Sequence, residues 1–176
     1  MPAPVLRTSR LVLVPAVAED LPALYRHWNT RAVRRFLWDD APVETGTIQR
    51  VVATSERDFA RAGYGIWTVR HTVEGPVIGT CGLRETAAGE VELLFSLDPA
   101  KWGLGLATEA ARAVLDHLRS ADPVVAFTDA GNVASQRVLA RLGMAPCDPG
   151  DLPARTRWRT GPTPPASTRI TPGDQE

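Results

Sequence analysis

The segment Pro99-Ala100-Lys101-Trp102-Gly103-Leu104-Gly105-Leu106-Ala107-Thr108-Glu109-Ala110 constrains the fold most. An apolar run, Glu90–Leu97 (EVELLFSL), leads into it and stops at Asp98-Pro99. The clearest helical pattern in the chain leaves it: Leu106 to Ser120, with Ala107, Ala111, Leu115 and Leu118 facing one way. Glycines two apart allow tight backbone turns with no Cβ in the way. The start of the helix offers amides without internal acceptors and the positive end of its dipole. A strand, a glycine turn and a helix in this order make an anion site suited to a phosphate or pyrophosphate. The simpler alternative is a strand-to-helix turn whose glycines serve geometry alone.

Spacing narrows the ligand. A dinucleotide fingerprint needs a third glycine where Thr108 stands, and a Walker loop needs a Gly-Lys that is absent. The chain has 20 basic and 20 acidic residues, so its net charge is zero. That disfavours a nucleic-acid binder relying on bulk positive charge. Backbone amides hold an anion without net charge, so the phosphate reading stands. Lys101 is the only lysine, at the edge of the turn. Codon usage of a GC-rich genome is the plain account of its solitude, and contact with a phosphate is the sharper one.

The rest of the pattern builds a domain around this turn. Residues 10–16 (RLVLVPA) predict a strand ended by Pro15. Leu21 to Trp28, Ala32 to Leu37 and Val43 to Ala62 predict helices, the last stopped by Gly63. Tyr64–Arg70, Pro76–Glu85 and Glu90–Leu97 predict strands, joined by hairpin-type turns at Glu74-Gly75-Pro76 and Ala87-Ala88-Gly89. After the Leu106–Ser120 helix come a strand, Val124–Thr128, a helix, Asn132–Leu142, and a last strand, Arg155–Thr160. The fold class expected is α/β or α+β, with a mixed, mostly antiparallel sheet flanked by helices. The 176 residues, 44% of them hydrophobic, suit one domain over residues 1–160. Residues 161–176 are rich in Pro, Thr, Ser and Gly and predict a disordered tail.

Cys81 and Cys147 fit no disulfide framework or CxxC motif, and His27, His71 and His117 show no paired-ligand spacing, so no metal is expected. The start lacks the basic region and apolar core of a signal peptide, and no stretch approaches a membrane span. A cytoplasmic protein is expected, monomeric or homodimeric.

The run KWGLGLATEAARAVL resembles the coenzyme A-binding segment of the GNAT family of N-acetyltransferases, and more narrowly its ribosomal-protein N-terminal acetyltransferase branch. A second block, Gly131-Asn132-Val133-Ala134-Ser135 through Leu142-Gly143-Met144, is similar to that branch's N-x-x-S…L-x-x-x-G-[FM] helix. Val91 to Pro99 and Thr8-Ser9-Arg10-Leu11-Val12-Leu13 also resemble the family's strands. The resemblance spans roughly residues 5 to 145. It implies that acetyl-CoA is the acyl donor, with its pyrophosphate on the loop amides of Trp102, Gly103, Leu104, Gly105, Leu106, Ala107 and Thr108. It implies a pantetheine arm beside the main chain of Phe95 and Leu97, although core packing accounts for their side chains as well. Asn132 is implied to bond the same arm, and as an Asn at a helix start it also caps.

For chemistry, the resemblance points to Glu92 and Ser135. An amine must lose a proton before it attacks a thioester, and a carboxylate assists directly or through water. Glu92 stands where this branch often carries a glutamate, on the strand face of Leu94 and Ser96; a solvent-facing glutamate is the alternative. Glu90 is the weaker candidate, and Glu109 reads as structural, in the first turn of its helix. Ser135 is the general-acid candidate near the leaving sulfur, or a structural serine. The resemblance implies that Trp28, Arg34, Arg35, Phe36, Trp38 and Asp39 mark the acceptor side, where Asp39 and Asp40 could attract a cationic amine or be plain solvated loop acids. The function expected is acetyl transfer to a primary amine, a protein N-terminus or a small molecule, by direct attack on the thioester. A non-catalytic acyl-CoA-sensing module is the alternative from another class.

Overall fold

The computed structural model describes residues 3–118, 123–147 and 155–161. The expected helix end at Ser120, the Pro146–Pro153 stretch beyond Cys147 and the tail beyond Gly161 lie outside the described residues. The strands are β1 (Leu6–Arg7), β2 (Val12–Pro15), β3 (Ile66–Arg70), β4 (Gly79–Glu85), β5 (Val91–Leu97), β6 (Val124–Asp129), β7 (Met144–Cys147) and β8 (Arg155–Thr160). The α-helices are α1 (Leu21–Asn29), α2 (Arg31–Leu37), α3 (Thr45–Ala62), α4 (Leu106–Leu118) and α5 (Val133–Arg141).

The strands form one sheet in the order β1-β2-β3-β4-β5-β6-β8-β7. Every neighbouring pair is antiparallel except β5–β6, as the strand-helix-strand unit around α4 requires. Alternation along the strands gives the sheet two apolar faces. Leu11, Leu13, Trp67, Val69, Leu83 and Leu93 pack with Leu106, Ala110, Ala111 and Val114 of α4 and Leu139 of α5. On the other face, Ile66 and Leu94 meet Leu24, Trp28, Val33, Ile48 and Val52 of α1–α3. Helices α4 and α5 and the early helices α1–α3 thus lie on opposite faces of β5.

The β5–β6 pairing covers only Val91–Val124 and Glu92–Val125. Beyond Glu92, β5 continues to Leu97 with no strand partner on that side among the described residues. Because the pairing stops there, the carboxyl ends of the two parallel strands are not bonded to each other and leave a crevice between them, where open α/β sheets bind ligands.

Two strands escape the sequence pattern. β1 and β7 are too short to show alternation, and β7 contains Pro146, which an edge strand tolerates. The expected strand from Pro76 shortens to start at Gly79; before it, Ile78 alone reaches β3, donating its amide to the Val69 carbonyl (2.9 Å).

Candidate functional site

The glycine turn sits at the mouth of this crevice. Gly103 (φ 77°) and Gly105 (φ 76°) both adopt the left-handed conformation that costs other residues about 1–2 kcal/mol. A Cβ on Gly103 would meet nothing within 4 Å, so backbone conformation, not space, selects glycine there. The first α4 amide to find a main-chain acceptor is that of Glu109, on the Gly105 carbonyl (3.1 Å). The amides from Gly103 to Thr108 have no acceptor among the described residues, and the buried Thr108 hydroxyl has no partner either. Donors left in this state at a helix N-terminus fit an anion such as a pyrophosphate.

Two contacts hold the turn in place. Trp102, half exposed, donates its indole Nε1–H to the Leu97 carbonyl (2.7 Å) and ties the loop to the end of β5. That carbonyl keeps a second lone pair, so the Leu97 main chain both holds Trp102 and stays able to accept another donor. On the far side, the Arg10 Nη1 donates to the Leu104 carbonyl (2.9 Å). Arg10 also donates Nε–H to Glu109 Oε2 (2.7 Å) and its amide to Oε1 (2.9 Å), with Thr8 Oγ1 (2.6 Å) and Ser9 Oγ (3.1 Å) on the same oxygen. Burial alone would raise the Glu109 pKa. Hydrogen bonds from Thr8, Arg10 and Ser9 outweigh it and hold the carboxyl at about 2. Glu109 therefore anchors the N-terminal segment as well as complementing its helix dipole.

Across the crevice, α5 starts at Asn132, whose Oδ1 accepts the Ser135 amide (3.1 Å). The cap expected from sequence is present, and the Ser135 hydroxyl has no hydrogen-bond partner among the described residues. Glu92 is not a solvent-facing strand residue: it is 5% exposed. Its Oε2 accepts from Nε of Arg84 (2.7 Å), directly opposite on β4. Glu90 pairs instead with Arg157 of β8.

On the α1–α3 face lies a cavity of about 300 Å³, lined among others by Trp28, Trp38, Val51, Thr80, Arg84 and Leu94. Trp28 and Trp38 form part of its wall, ring centroids 5.4 Å apart. Cys81 also lines it, and burial pushes its thiol far above the usual range, so it is not a nucleophile. Asp39 pairs with Arg155 and Asp40 with Arg34 (3.2 Å), so each exposed carboxylate has a cation of this chain beside it. Arg34, Arg35 and Phe36 do not line the cavity.

The sequence reading missed one buried network. His27 sits between Asp98 (Nδ1 to Oδ1, 2.7 Å) and Ser96 (Nε2 to Oγ, 2.8 Å). Ser96 contacts Thr80 (3.0 Å), which accepts from Trp28 Nε1 (3.2 Å). Burial holds the His27 pKa below its ordinary 6.5, against the upward pull of Asp98. Nothing in the local sequence marks these residues, since they come from α1, β4, β5 and the residue that follows β5. Among the described residues, no group of three His, Cys, Asp or Glu side chains is arranged to hold a metal ion, and no helix is long and apolar enough to cross a membrane.

Fold and loop together define an α/β protein with an anion cradle beside the crevice between its two parallel strands. Residues 10–145 match the family described as acetyltransferase (GNAT) domain, and the chain belongs to that family. An acetyltransferase from Agrobacterium tumefaciens str. C58 is similar in structure, with TM-score 0.78 and 26% identity over 92% of this chain and 96% of that one. RimL, a ribosomal L7/L12 alpha-N-protein acetyltransferase solved in complex with coenzyme A, shares the fold (TM-score 0.71, 18% identity, 89% of this chain and 97% of that one). The uncharacterized protein YkkB of Bacillus subtilis (strain 168) is 35% identical over 92 residues. That match covers 47% of this chain and 52% of YkkB, so the chain spans about half the length of the curated relative it matches.

Proposed function

We propose that the protein is an acetyl-CoA-dependent N-acetyltransferase that transfers the acetyl group to a primary amine, a peptide N-terminus or a small molecule. The observation that carries this reading is the run of acceptor-free amides from Gly103 to Thr108 at the start of α4, on the fold of an acetyltransferase family. The coenzyme A held by RimL supports the same donor. In this reading the loop amides take the pyrophosphate, the unpaired edge of β5 at Phe95 runs beside the pantetheine arm, and the Asn132 Nδ2 is left to bond it.

The acceptor enters from the cavity of Trp28, Trp38 and Leu94. Its nitrogen attacks the thioester carbonyl carbon, the tetrahedral oxyanion forms, the C–S bond breaks and the thiolate leaves. Glu92, on the β5 face turned to the cavity side, takes a proton from the amine. Ser135, its hydroxyl uncommitted, supplies one to the sulfur.

The test is thiol release from acetyl-CoA over a panel of peptides with different first residues and small amines. Amine-dependent release supports the proposal. Binding of acetyl-CoA without acetylation of any amine overturns it in favour of an acyl-CoA sensor.

A further inference from the structure

We propose that Thr80, Ser96, His27 and Asp98 form a proton exit from the acceptor cavity to the surface. The inference rests on the amine-acetylating reading. The chemistry sets the need. An alkylammonium acceptor and acetyl-CoA give an amide, free thiol and one proton: RNH3+ + CH3CO–SCoA → RNH–COCH3 + HSCoA + H+. Of the two protons the nitrogen loses, one ends on sulfur and the other must reach solvent. With donor in the crevice and acceptor in the cavity, the buried Thr80 hydroxyl on the cavity wall offers that proton a route through the protein.

The donors and acceptors of the network can be ordered from its ends. The Trp28 indole only donates, and it donates to Thr80 Oγ1 (3.2 Å). The Asp98 carboxylate only accepts, so the His27 Nδ1 facing it at 2.7 Å carries the hydrogen. In the neutral imidazole Nε2 is then bare, and the Ser96 hydroxyl at 2.8 Å donates to it. The Ser96 oxygen is left to accept from the Thr80 hydroxyl at 3.0 Å. Every hydrogen in the string points one way, from the cavity wall towards Asp98.

The two ends lie in different environments. Thr80 is 5% exposed and lines the cavity, whereas the Asp98 side chain is 39% exposed, at the end of β5. A proton delivered to the Thr80 oxygen releases the Thr80 hydrogen to Ser96, and the Ser96 hydrogen to His27 Nε2. The resulting imidazolium faces Asp98, whose charge stabilises it, and loses a proton there to water. Of the groups around His27, Asp98 is the one whose charge acts on it. Of the two nitrogen protons, the one taken by Glu92 balances the proton that Ser135 supplies to sulfur, and the other passes directly from the nitrogen to Thr80 Oγ1. The string supplies the way out and makes His27 a positioning and relay residue, not one that touches substrate.

Ser96→Ala cuts the string while leaving the His27–Asp98 contact. His27→Gln keeps a side chain of similar reach without a titratable ring. Both are expected to lower kcat at least tenfold, to leave KM for acetyl-CoA within twofold, and to regain much of the loss when imidazole is added as a diffusible proton carrier. Wild-type kcat in folded Ser96→Ala, or a loss that imidazole does not restore, overturns the proposal. A readout independent of turnover is the nitrogen-15 NMR spectrum of the His27 ring. A hydrogen on Nδ1 and a bare Nε2 are expected; a hydrogen on Nε2 reverses the string and overturns the proposal even where no acceptor has been found. Absence of wild-type acetylation on every amine, with the Nδ1–H tautomer present, counts against the enzyme reading and leaves the string's hydrogen order established.

Discussion

Arg10 grips both sides of the glycine turn, because the guanidinium that donates to Glu109 Oε2 (2.7 Å) also donates to the Leu104 carbonyl (2.9 Å). Arg10, in the turn between β1 and β2 at the edge of the sheet, therefore braces the loop from near the N-terminus. Glu109→Gln is expected to cost about 2 kcal/mol, since Thr8, Ser9 and the Arg10 amide all lose a charged acceptor. Arg10→Ala should cost less, about 1 kcal/mol, because its side chain is half exposed. Urea unfolding of the two variants checks the order, and a larger loss for Arg10→Ala contradicts it.

Acid should weaken the fold in two steps. His27 has a folded pKa below its ordinary 6.5, so the unfolded chain binds its proton first. The stability it contributes is complete above pH 6.5 and falls as the pH drops below that value. Glu109 is depressed from 4.5 to about 2, so its contribution is complete above pH 4.5 and disappears as the pH falls towards 2. Urea midpoints measured across this range should show the upper step vanish in His27→Gln and the lower one in Glu109→Gln.

Gly103→Ala should cost about 1 kcal/mol of stability from its positive φ alone, since nothing crowds the new methyl group. The greater effect is expected on acetyl-CoA: a turn that relaxes to negative φ no longer aims its amides, and affinity should fall about tenfold or more, an order-of-magnitude loss equal to about 1.4 kcal/mol. Calorimetric titration of the variant measures it, and an unchanged Kd contradicts the role given to the turn.

Glu92→Gln and Ser135→Ala separate the proposed proton transfers. Glu92→Gln should lower kcat about a hundredfold, a typical general-base contribution, with acetyl-CoA affinity retained. Its ion-pair partner Arg84 is more than half exposed, so the loss of the pair costs little stability. Ser135→Ala keeps the Asn132 cap, which uses the backbone amide, so a loss of kcat there reports the hydroxyl alone. Steady-state kinetics with any accepted amine decides both, and wild-type kcat in either variant removes that residue from the chemistry.

What was legible in the sequence is what local physics controls. Gly103 and Gly105 mark a left-handed turn, Asn132 marks a cap, and the long periodic runs of α3 and α4 fall where expected. The loop stood out because a single short segment carries strand end, turn and helix start together. The acceptor side was half legible: Trp28 and Trp38 line the cavity, but Thr80 and Arg84 come from a distant strand that the sheet register places there, and Val51 from α3 packed on that face. The same reason hides the Arg84–Glu92 pair, the clamp on Glu109 and the His27 string. Each depends on contacts across strands or between faces, and a polar residue in a strand looks the same in sequence whether it faces water or a partner. Asp39 and Asp40 are a further case: no local pattern shows that Arg155 and Arg34 stand beside them in the fold.

The central claim is that the backbone amides from Gly103 to Thr108 receive the pyrophosphate of acetyl-CoA. Amide NMR during titration with acetyl-CoA tests it most directly. Saturable shifts concentrated on Gly103 to Thr108, with the amides of β1 and β7 unmoved, are the result expected. Saturable binding that leaves the Gly103 to Thr108 amides where they were contradicts it.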